Sequence, residues 1–419
     1  MILGQTDWRG QRKKFGIKAA DRRLGIFVLG KTGTGKSTLL KSMILQDIHA
    51  GAGVGLIDPH GDLADSLLDH IPPHRTNDVC YFRPDDYAHP LGLNVLEHVP
   101  REYRHLVADH VVSVFKTLYR DSWGYRLEYL LHNCALSLLD VEGTTLLGIP
   151  RLLTDEKYLA RILPHIQDPI VRKFWREEFK VMKKDFQHEA AFPVLNKVGQ
   201  FLSTFPLRNI LGQVKSTMDF SFFMDRSKIL IANIAKGNIG EQKSKLLGSL
   251  LLTKLFLTAL SRAQPQRKDF YLYIDETSNI ATSILASVLS ESRKYLLNVV
   301  LATQYLDQLD TDIQKSMLGN VGTLMAFRLG SPDARTLEPE FAPEFRTLDL
   351  EHRGAYQMAI RLAVDGITSR PFSAVTLNPH YPFHRGQPEK IIAHSRQRYG
   401  VPRTVVEDKI TRWLRLNDP

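Results

Sequence analysis

Residues 30–37 read GKTGTGKS, with the apolar stretch GIFVLG running into them and STLLKSMILQDIH following from Ser37. Every fixed position of the pattern G-x-x-x-x-G-K-[ST] is filled. A strand, a glycine-rich turn and a helix in that order commit the chain to an α/β fold, with a sheet whose faces are covered by helices. Gly30, Gly33 and Gly35 let the backbone curl so that successive N–H groups point inwards as an anion nest. Lys31, Thr32, Thr34 and Thr38 complete the nucleotide-binding segment, and the helix that begins near Lys36 adds its N-terminal dipole. Lys36 is expected to reach the β- and γ-phosphates of ATP, and the Ser37 hydroxyl to ligate Mg2+.

Two textures alternate along the rest of the chain. Residues 24–82 hold short apolar strands (GIFVLG, VGLID, DVCYF) separated by helical stretches and turns. From about 97 to 207 apolar residues recur instead at helical spacing, as in REYRHLVADHVVSVFKTLYR and WGYRLEYLLHNCALSLLD. Strand texture resumes in KILIANI, DFYLYID, NVVLAT, TLMAFRL and AYQMAIR. The expectation is a mainly parallel sheet with an inserted all-α domain. Residues 1–97 and 208–384 would form one discontinuous nucleotide-binding domain, 98–207 the helical insertion, and 385–419 a basic helical tail.

A phosphate loop needs a carboxylate at the end of a neighbouring strand. The segment YLYIDE ends in Asp275 and Glu276. Asp275 suits the metal, and Glu276 suits polarising a water for attack on the γ-phosphate; a helix N-cap is the plainer alternative for such a pair. In NVVLATQYL the strand ends at Thr303 and Gln304, and Gln304 is placed to hydrogen-bond the γ-phosphate, although a buried turn would hold a glutamine equally well. Eleven residues before it, Arg293 lies in SVLSESRKYLL, either as an arginine finger for a neighbouring subunit or as a solvated helix residue.

Lys and Arg number 55 against 45 Asp and Glu, a net charge of +10. Such a balance suggests a polyanionic partner. The excess sits at the ends: residues 1–23 carry seven basic against two acidic residues, and 385–419 carry eight against four. Only Cys80 and Cys134 are present, with no CxxC, which argues against a disulfide framework and suits a reducing cytosol. The most apolar stretch, 246–260, is 15 residues with a lysine inside it, shorter than the ~20 a spanning helix needs. It reads as a buried core helix, and no membrane insertion is expected.

The order GKTGTGKS, a strand ending IDPHGDL, a helical insertion, YIDE and then RKYLLNVVLATQ resembles the HerA/FtsK superfamily of ring-forming DNA motors, over about residues 15–380. Within it the chain is most similar to type IV secretion coupling proteins, the TraG/TraD-like conjugative DNA-transfer ATPases. The resemblance implies a RecA-like P-loop NTPase domain with an inserted helical domain, and a homohexamer with DNA in its pore. It also implies relaxase and secretion-channel components as partners, and a cytoplasmic protein recruited by a partner to the inner face of the membrane. Position by position it matches Lys36 and Ser37 to the phosphate loop, Asp275 and Glu276 to the acidic pair, Gln304 to the sensor and Arg293 to a trans-acting arginine. A further basic position upstream of the loop falls on Arg22 or Arg23.

The segment DPHGD stays open between three roles for Asp58, His60 and Asp62: an acidic element near the Mg2+ shell, a D-x-H-x-D metal site, or capping of the next helix by Asp62. DNA would be gripped at its phosphates, with Lys236, Lys243 and Lys245, or Arg126, Lys183 and Lys184 of the insertion, as candidates. Unlike many coupling proteins, this chain has no membrane-spanning helices in its sequence. Two other readings use the same motor differently: a secretion ATPase that moves protein, and a slow nucleotide-gated docking module for a relaxase–DNA complex.

Overall fold

Continuous runs of Val, Ile, Leu and Phe mark strands buried on both faces, and the computed structural model pairs these runs in one sheet. It describes residues 1–7, 11–280, 283–377 and 386–415. The strands are β1 (Ile2–Thr6), β2 (Lys14–Gly16), β3 (Ile26–Leu29), β4 (Gly53–Asp58), β5 (Val79–Phe82), β6 (Ile229–Asn233), β7 (Phe270–Ile274), β8 (Leu297–Thr303), β9 (Thr323–Ala326) and β10 (Gln357–Arg361). A two-stranded ribbon of β11 (Ala363–Val364) and β12 (Ile367–Thr368) follows, and then β13 (Phe372–Val375). The sheet order is β2-β1-β13-β10-β9-β3-β8-β7-β4-β6-β5. From β9 to β5 every pairing is parallel, and β10, β13, β1 and β2 extend that edge antiparallel. The mainly parallel sheet matches the sequence reading. Strands β1, β2 and β13 were not expected, because their short, half-polar stretches carry little periodic signal on their own.

The chain divides into two compact units. The first comprises residues 1–82, 220–235 and 258–395 and contains the whole large sheet. Its core includes Leu39, Leu40, Met43, Ile44 and Ile48 from the helix Lys36–His49, with Val28 of β3, Leu56 of β4 and Ala302 of β8. That helix is therefore anchored along its buried side, which fixes the turn before it.

The second unit comprises 83–219, 236–257 and 396–419. Among its described residues between 98 and 207 every regular element is helical, including Arg104–Leu118, Tyr125–Leu139 and Lys184–Leu202. Trp175 is fully buried there, and its indole donates to Ser137 Oγ at 2.7 Å. The units divide at 82/83, 219/220, 235/236, 257/258 and 395/396, where the sequence suggested 97/98, 207/208 and 384/385. Local bonds account for the shift. Arg396 pairs with Asp86 at 2.5 Å, Val401 N–H donates to the Pro90 carbonyl, and the Lys254 ammonium donates to the Glu97 carbonyl at 2.6 Å. The expected tail therefore supplies two packed helices, Pro388–Tyr399 and Arg403–Arg415; its residues 385 and 416–419 lie outside the described residues, as do 378–384 of the expected nucleotide domain. The apolar stretch 246–260 lies in the helix Glu241–Ser261, which by length and composition could cross a membrane but has 78% of its apolar window buried.

One ion pair belongs to this core. Arg22 donates to both Asp47 oxygens at 2.7 Å and to the Tyr273 hydroxyl at 3.0 Å, and its guanidinium lies 3.7 Å from the centre of the Tyr271 ring. Tyr273 donates in turn to Asp47 at 2.5 Å. Arg22 and Asp47 are each about 4% exposed. Removing one partner strands the other charge out of water. Arg22→Met is expected to destabilise the fold by about 3–5 kcal/mol, measured by urea denaturation. Arg22→Met combined with Asp47→Leu should recover most of that loss, because no charge is then left unpaired.

Candidate nucleotide-binding site

In the sheet, β8 lies between β3 and β7, with Leu29 opposite Thr303 and Ile274 opposite Leu301. The carboxyl ends of these three strands therefore deliver the phosphate loop, Gln304 and the acidic pair to one edge, where ligands of parallel α/β sheets bind. They open on a cleft of about 260 Å3. Its walls include Thr32, Gly33, Gly35, Lys36, Ser37 and Thr38 from the loop, Asp275, Glu276 and Gln304 from the strand ends, and His60, Asp62, Leu63 and Tyr356.

The loop is held by its neighbours. Gly30 N–H donates to the Thr303 carbonyl at 3.3 Å and Lys31 N–H to the Arg328 carbonyl at 3.0 Å. Gly33 and Gly35 have φ of 73° and 117°, a region that strains any residue with a Cβ. At Gly35 a Cβ would also stand 3.0 Å from the Tyr356 ring. Lys36 is buried, and its ammonium donates to the carbonyls of Gly30 and, at 3.1 Å, of Lys31. Burial pushes its pKa down, against the pull of Asp275 and Glu276.

Asp275 is pressed the other way. Burial first and the Asp58 carboxylate second raise its pKa to about 7, while the Glu276 N–H at 3.0 Å from Oδ1, and Lys36, oppose the rise. Glu276 has φ of 47°, a conformation that costs a non-glycine residue on the order of 1–3 kcal/mol. Its Oε1 accepts from Ser278 Oγ at 2.8 Å, Thr303 Oγ1 at 3.0 Å and Gln304 N–H at 3.3 Å. Gln304 then reaches the loop: its Oε1 accepts from Thr32 Oγ1 at 2.9 Å. A continuous hydrogen-bonded path thus joins the phosphate loop, the end of β8 and the Glu276 carboxylate. The helix-cap alternative for the acidic pair does not describe Glu276, whose side chain makes no capping bond to the short 3-10 turn Thr277–Asn279.

The DPHGD segment resolves into different roles. Asp58 is fully buried and accepts from His60 N–H and Ala64 N–H, both at 2.9 Å. It secures the start of the helix Asp62–Leu68, so the capping expected of Asp62 falls to Asp58. Asp62 and His60 are exposed on the cleft wall. Among the described residues no three His, Cys, Asp or Glu side chains converge on a metal position.

Neither upstream arginine lines the cleft: Arg22 is held by Asp47, and Arg23 pairs with Asp269 at 2.8 Å. Arg293 is exposed on the turn Ser292–Tyr295, outside the cleft lining. Among the proposed DNA-contacting residues, Lys245 pairs with Glu241 and Lys184 with Glu156, while Arg126 and Lys183 are exposed. Tyr356 was not anticipated. Its φ of 65° and its N–H bond to the Thr34 carbonyl at 2.8 Å set the ring against the loop from a distant strand end; nothing local in AYQMAIR signals that placement.

A family model described as the central domain of the helicase HerA matches residues 14–251. The chain belongs to that family. No curated protein matches it in sequence. Among solved structures, the bacterial conjugative coupling protein TrwB in its unbound form aligns with a TM-score of 0.65 at 15% identity, over 92% of this chain and 90% of TrwB. TrwB bound to ADP and Mg2+ gives 0.65 and 15%, over 92% and 91%. VirB4 of Thermoanaerobacter pseudethanolicus gives 0.62 at 13% identity, over 92% of this chain and 98% of that one. At such identities the likeness is one of fold: a RecA-like P-loop sheet accompanied by helices.

The raised pKa of Asp275 sets a pH dependence. In nucleotide-free and metal-free protein, Asp275 holds its proton up to about pH 7, whereas the unfolded chain releases it near ~4. The stability this group contributes is present below the unfolded value and is lost as pH rises through the folded one. Asp275→Asn is therefore expected to melt at a higher temperature than the parent at pH 8.5, with the gap closing towards pH 5, measured by calorimetry in EDTA.

Proposed function

We propose that this HerA-family chain is an ATPase that translocates DNA, its subunits closing into a homohexameric ring around the strand. The observation that carries the reading is the convergence of Lys36, Asp275, Glu276 and Gln304 in one cleft, with Gln304 bonded to Thr32 and its N–H to Glu276. ATP would lie with its phosphates along the loop from Gly30 to Thr38. Ser37 and Asp275 offer an oxygen-only pair, suited to a hard Mg2+ that takes its remaining ligands from water and phosphate. When bound, that ion neutralises charge on the phosphoryl group being transferred.

The chain's own residues divide the remaining work. Lys36 exchanges its loop carbonyls for β- and γ-phosphate oxygens. Glu276 accepts the proton of the attacking water, with its carboxylate oriented by Ser278, Thr303 and the Gln304 N–H. Gln304 exchanges Thr32 for the γ-phosphate, so loss of that phosphate is felt at the end of β8. Arg293, exposed and away from its own cleft, completes the site of a neighbour.

Support for DNA as the substrate comes from the helicase family, from the fold of a conjugative coupling protein and from the net charge of +10. Exposed Arg126 and Lys183, with Lys236 and Lys243, are the proposed phosphate contacts. A relaxase and channel components would be its partners in conjugative transfer, at the cytoplasmic face of the membrane. DNA is expected to raise the ATPase rate, and DNA affinity to fall with salt along a log–log slope of about −0.9 per phosphate neutralised on duplex. A rate indifferent to DNA together with a flat salt response would favour the protein-secretion or docking reading.

The chemistry is tested by two variants. Glu276→Gln is expected to bind ATP and lose hydrolysis by about 10²–10⁴-fold. Arg293→Ala should also bind ATP, and lose turnover by about 10³–10⁵-fold. Mixed together, they should regain part of the activity, because a Glu276→Gln subunit can donate its intact Arg293 to an Arg293→Ala subunit whose own Glu276 is intact. No recovery in rings verified as mixed by native mass spectrometry would remove Arg293 from the trans role.

A further inference from the structure

The helical unit contains a cavity of about 420 Å3 that shares no residue with the nucleotide cleft. One wall is a single face of the helix Arg403–Arg415, where Val406, Lys409, Ile410 and Trp413 recur at helical spacing. Leu147 and the segment 212–217 form the facing wall. Gly212 lets the walls approach: a Cβ there would stand 2.5 Å from Leu147 Cδ1 and 3.0 Å from Ile410 Cδ1. The volume falls in the range of about 300–1,000 Å3 found for ligand sites.

Its chemistry is one-sided. Leu147, Val214, Val401, Val406 and Ile410 supply its aliphatic surface, and the charged residues in the lining are Lys215 and Lys409, both exposed. The acids on the same helix are engaged elsewhere, Glu407 by Arg403 at 2.8 Å and Asp408 by Arg412. Both charged side chains of the lining are thus positive, and the Glu97 carboxylate beside them is taken up by the Ser216 N–H at 2.6 Å. Trp413 is partly engaged already, since the Arg151 guanidinium lies 4.5 Å from its ring and the Tyr158 ring meets it edge-on at 5.8 Å. That disfavours a nucleobase and favours an aliphatic group carried next to carboxylates.

We propose that this cavity is a docking site for an acidic segment of a partner protein. Aliphatic side chains of the segment seat among Leu147, Val214 and Ile410, and flanking carboxylates pair with Lys215 and Lys409.

The test is fluorescence polarisation of the full chain with a labelled DELLDE peptide, beside DESSDE and KKLLKK controls. DELLDE is expected to bind, and DESSDE to bind at least about tenfold more weakly, since two buried leucines are lost. Lys215→Glu and Lys409→Glu, both at exposed positions, should together weaken DELLDE by about tenfold or more with an unchanged circular dichroism spectrum. Three results would overturn the proposal: no DELLDE binding at millimolar peptide, equal binding of KKLLKK, or DELLDE affinity unchanged in the double variant. If the double variant instead loses affinity for oligothymidylate and keeps it for DELLDE, the lysines belong to a DNA surface and the peptide site is refuted.

Discussion

The parallel insertion of β8 between β3 and β7 is the constraint on which the nucleotide cleft depends. Because all three strands run the same way, their carboxyl ends are level, and the loop, the glutamine and the acids arrive together. A one-residue slip in either pairing would turn every side chain of β8 to the opposite face. All seven residues of β8 are buried, so such a slip would have to repack both faces of the strand. The same alignment places the Thr303 hydroxyl under Glu276 and lets Gln304 touch Thr32. A path from the glycine-rich loop to the Glu276 carboxylate is a consequence of strand order and needs no dedicated element.

The cleft works against the stability of the unit that holds it. Lys36 and Asp275 are both pushed towards their neutral forms by burial, and Glu276 sits in a left-handed backbone conformation. Each of these costs the unit stability. The opposing stability resides in the surrounding core. The Arg22–Asp47–Tyr273 cluster joins the segment before β3 to the phosphate-loop helix and to the acid-bearing strand. An arginine upstream of the loop thus acts from behind the cleft, by holding the helix that follows the glycine-rich loop.

Charge has a similar division between structure and surface. Much of the basic excess at the two ends of the chain is consumed internally: Lys18 pairs with Asp365, Arg22 with Asp47, Arg23 with Asp269, Arg396 with Asp86 and Arg403 with Glu407. Net charge remains a bulk property that favours a polyanion. Those five side chains individually are poor candidates for contacting it.

The sequence by itself determined the glycine-rich loop, the acidic strand end, the glutamine that follows β8 and the helical block. Each is written in contiguous residues whose spacing or periodicity carries the signal: eight for GKTGTGKS, one strand for YLYIDE, one strand for NVVLATQ. Tertiary structure decided what depends on residues far apart in the chain. Asp58 and not Asp62 caps the helix after β4, because only Asp58 is buried under its N–H groups. Arg22 and Arg23 face acids from other elements and leave the cleft, whereas Tyr356 enters it through a bond to Thr34 made across 322 residues. The edge strands β1, β2 and β13 exist because each is hydrogen-bonded by a neighbour already in the sheet. Their stretches lack the continuous apolar run of a strand buried on both faces, so no local pattern could announce them.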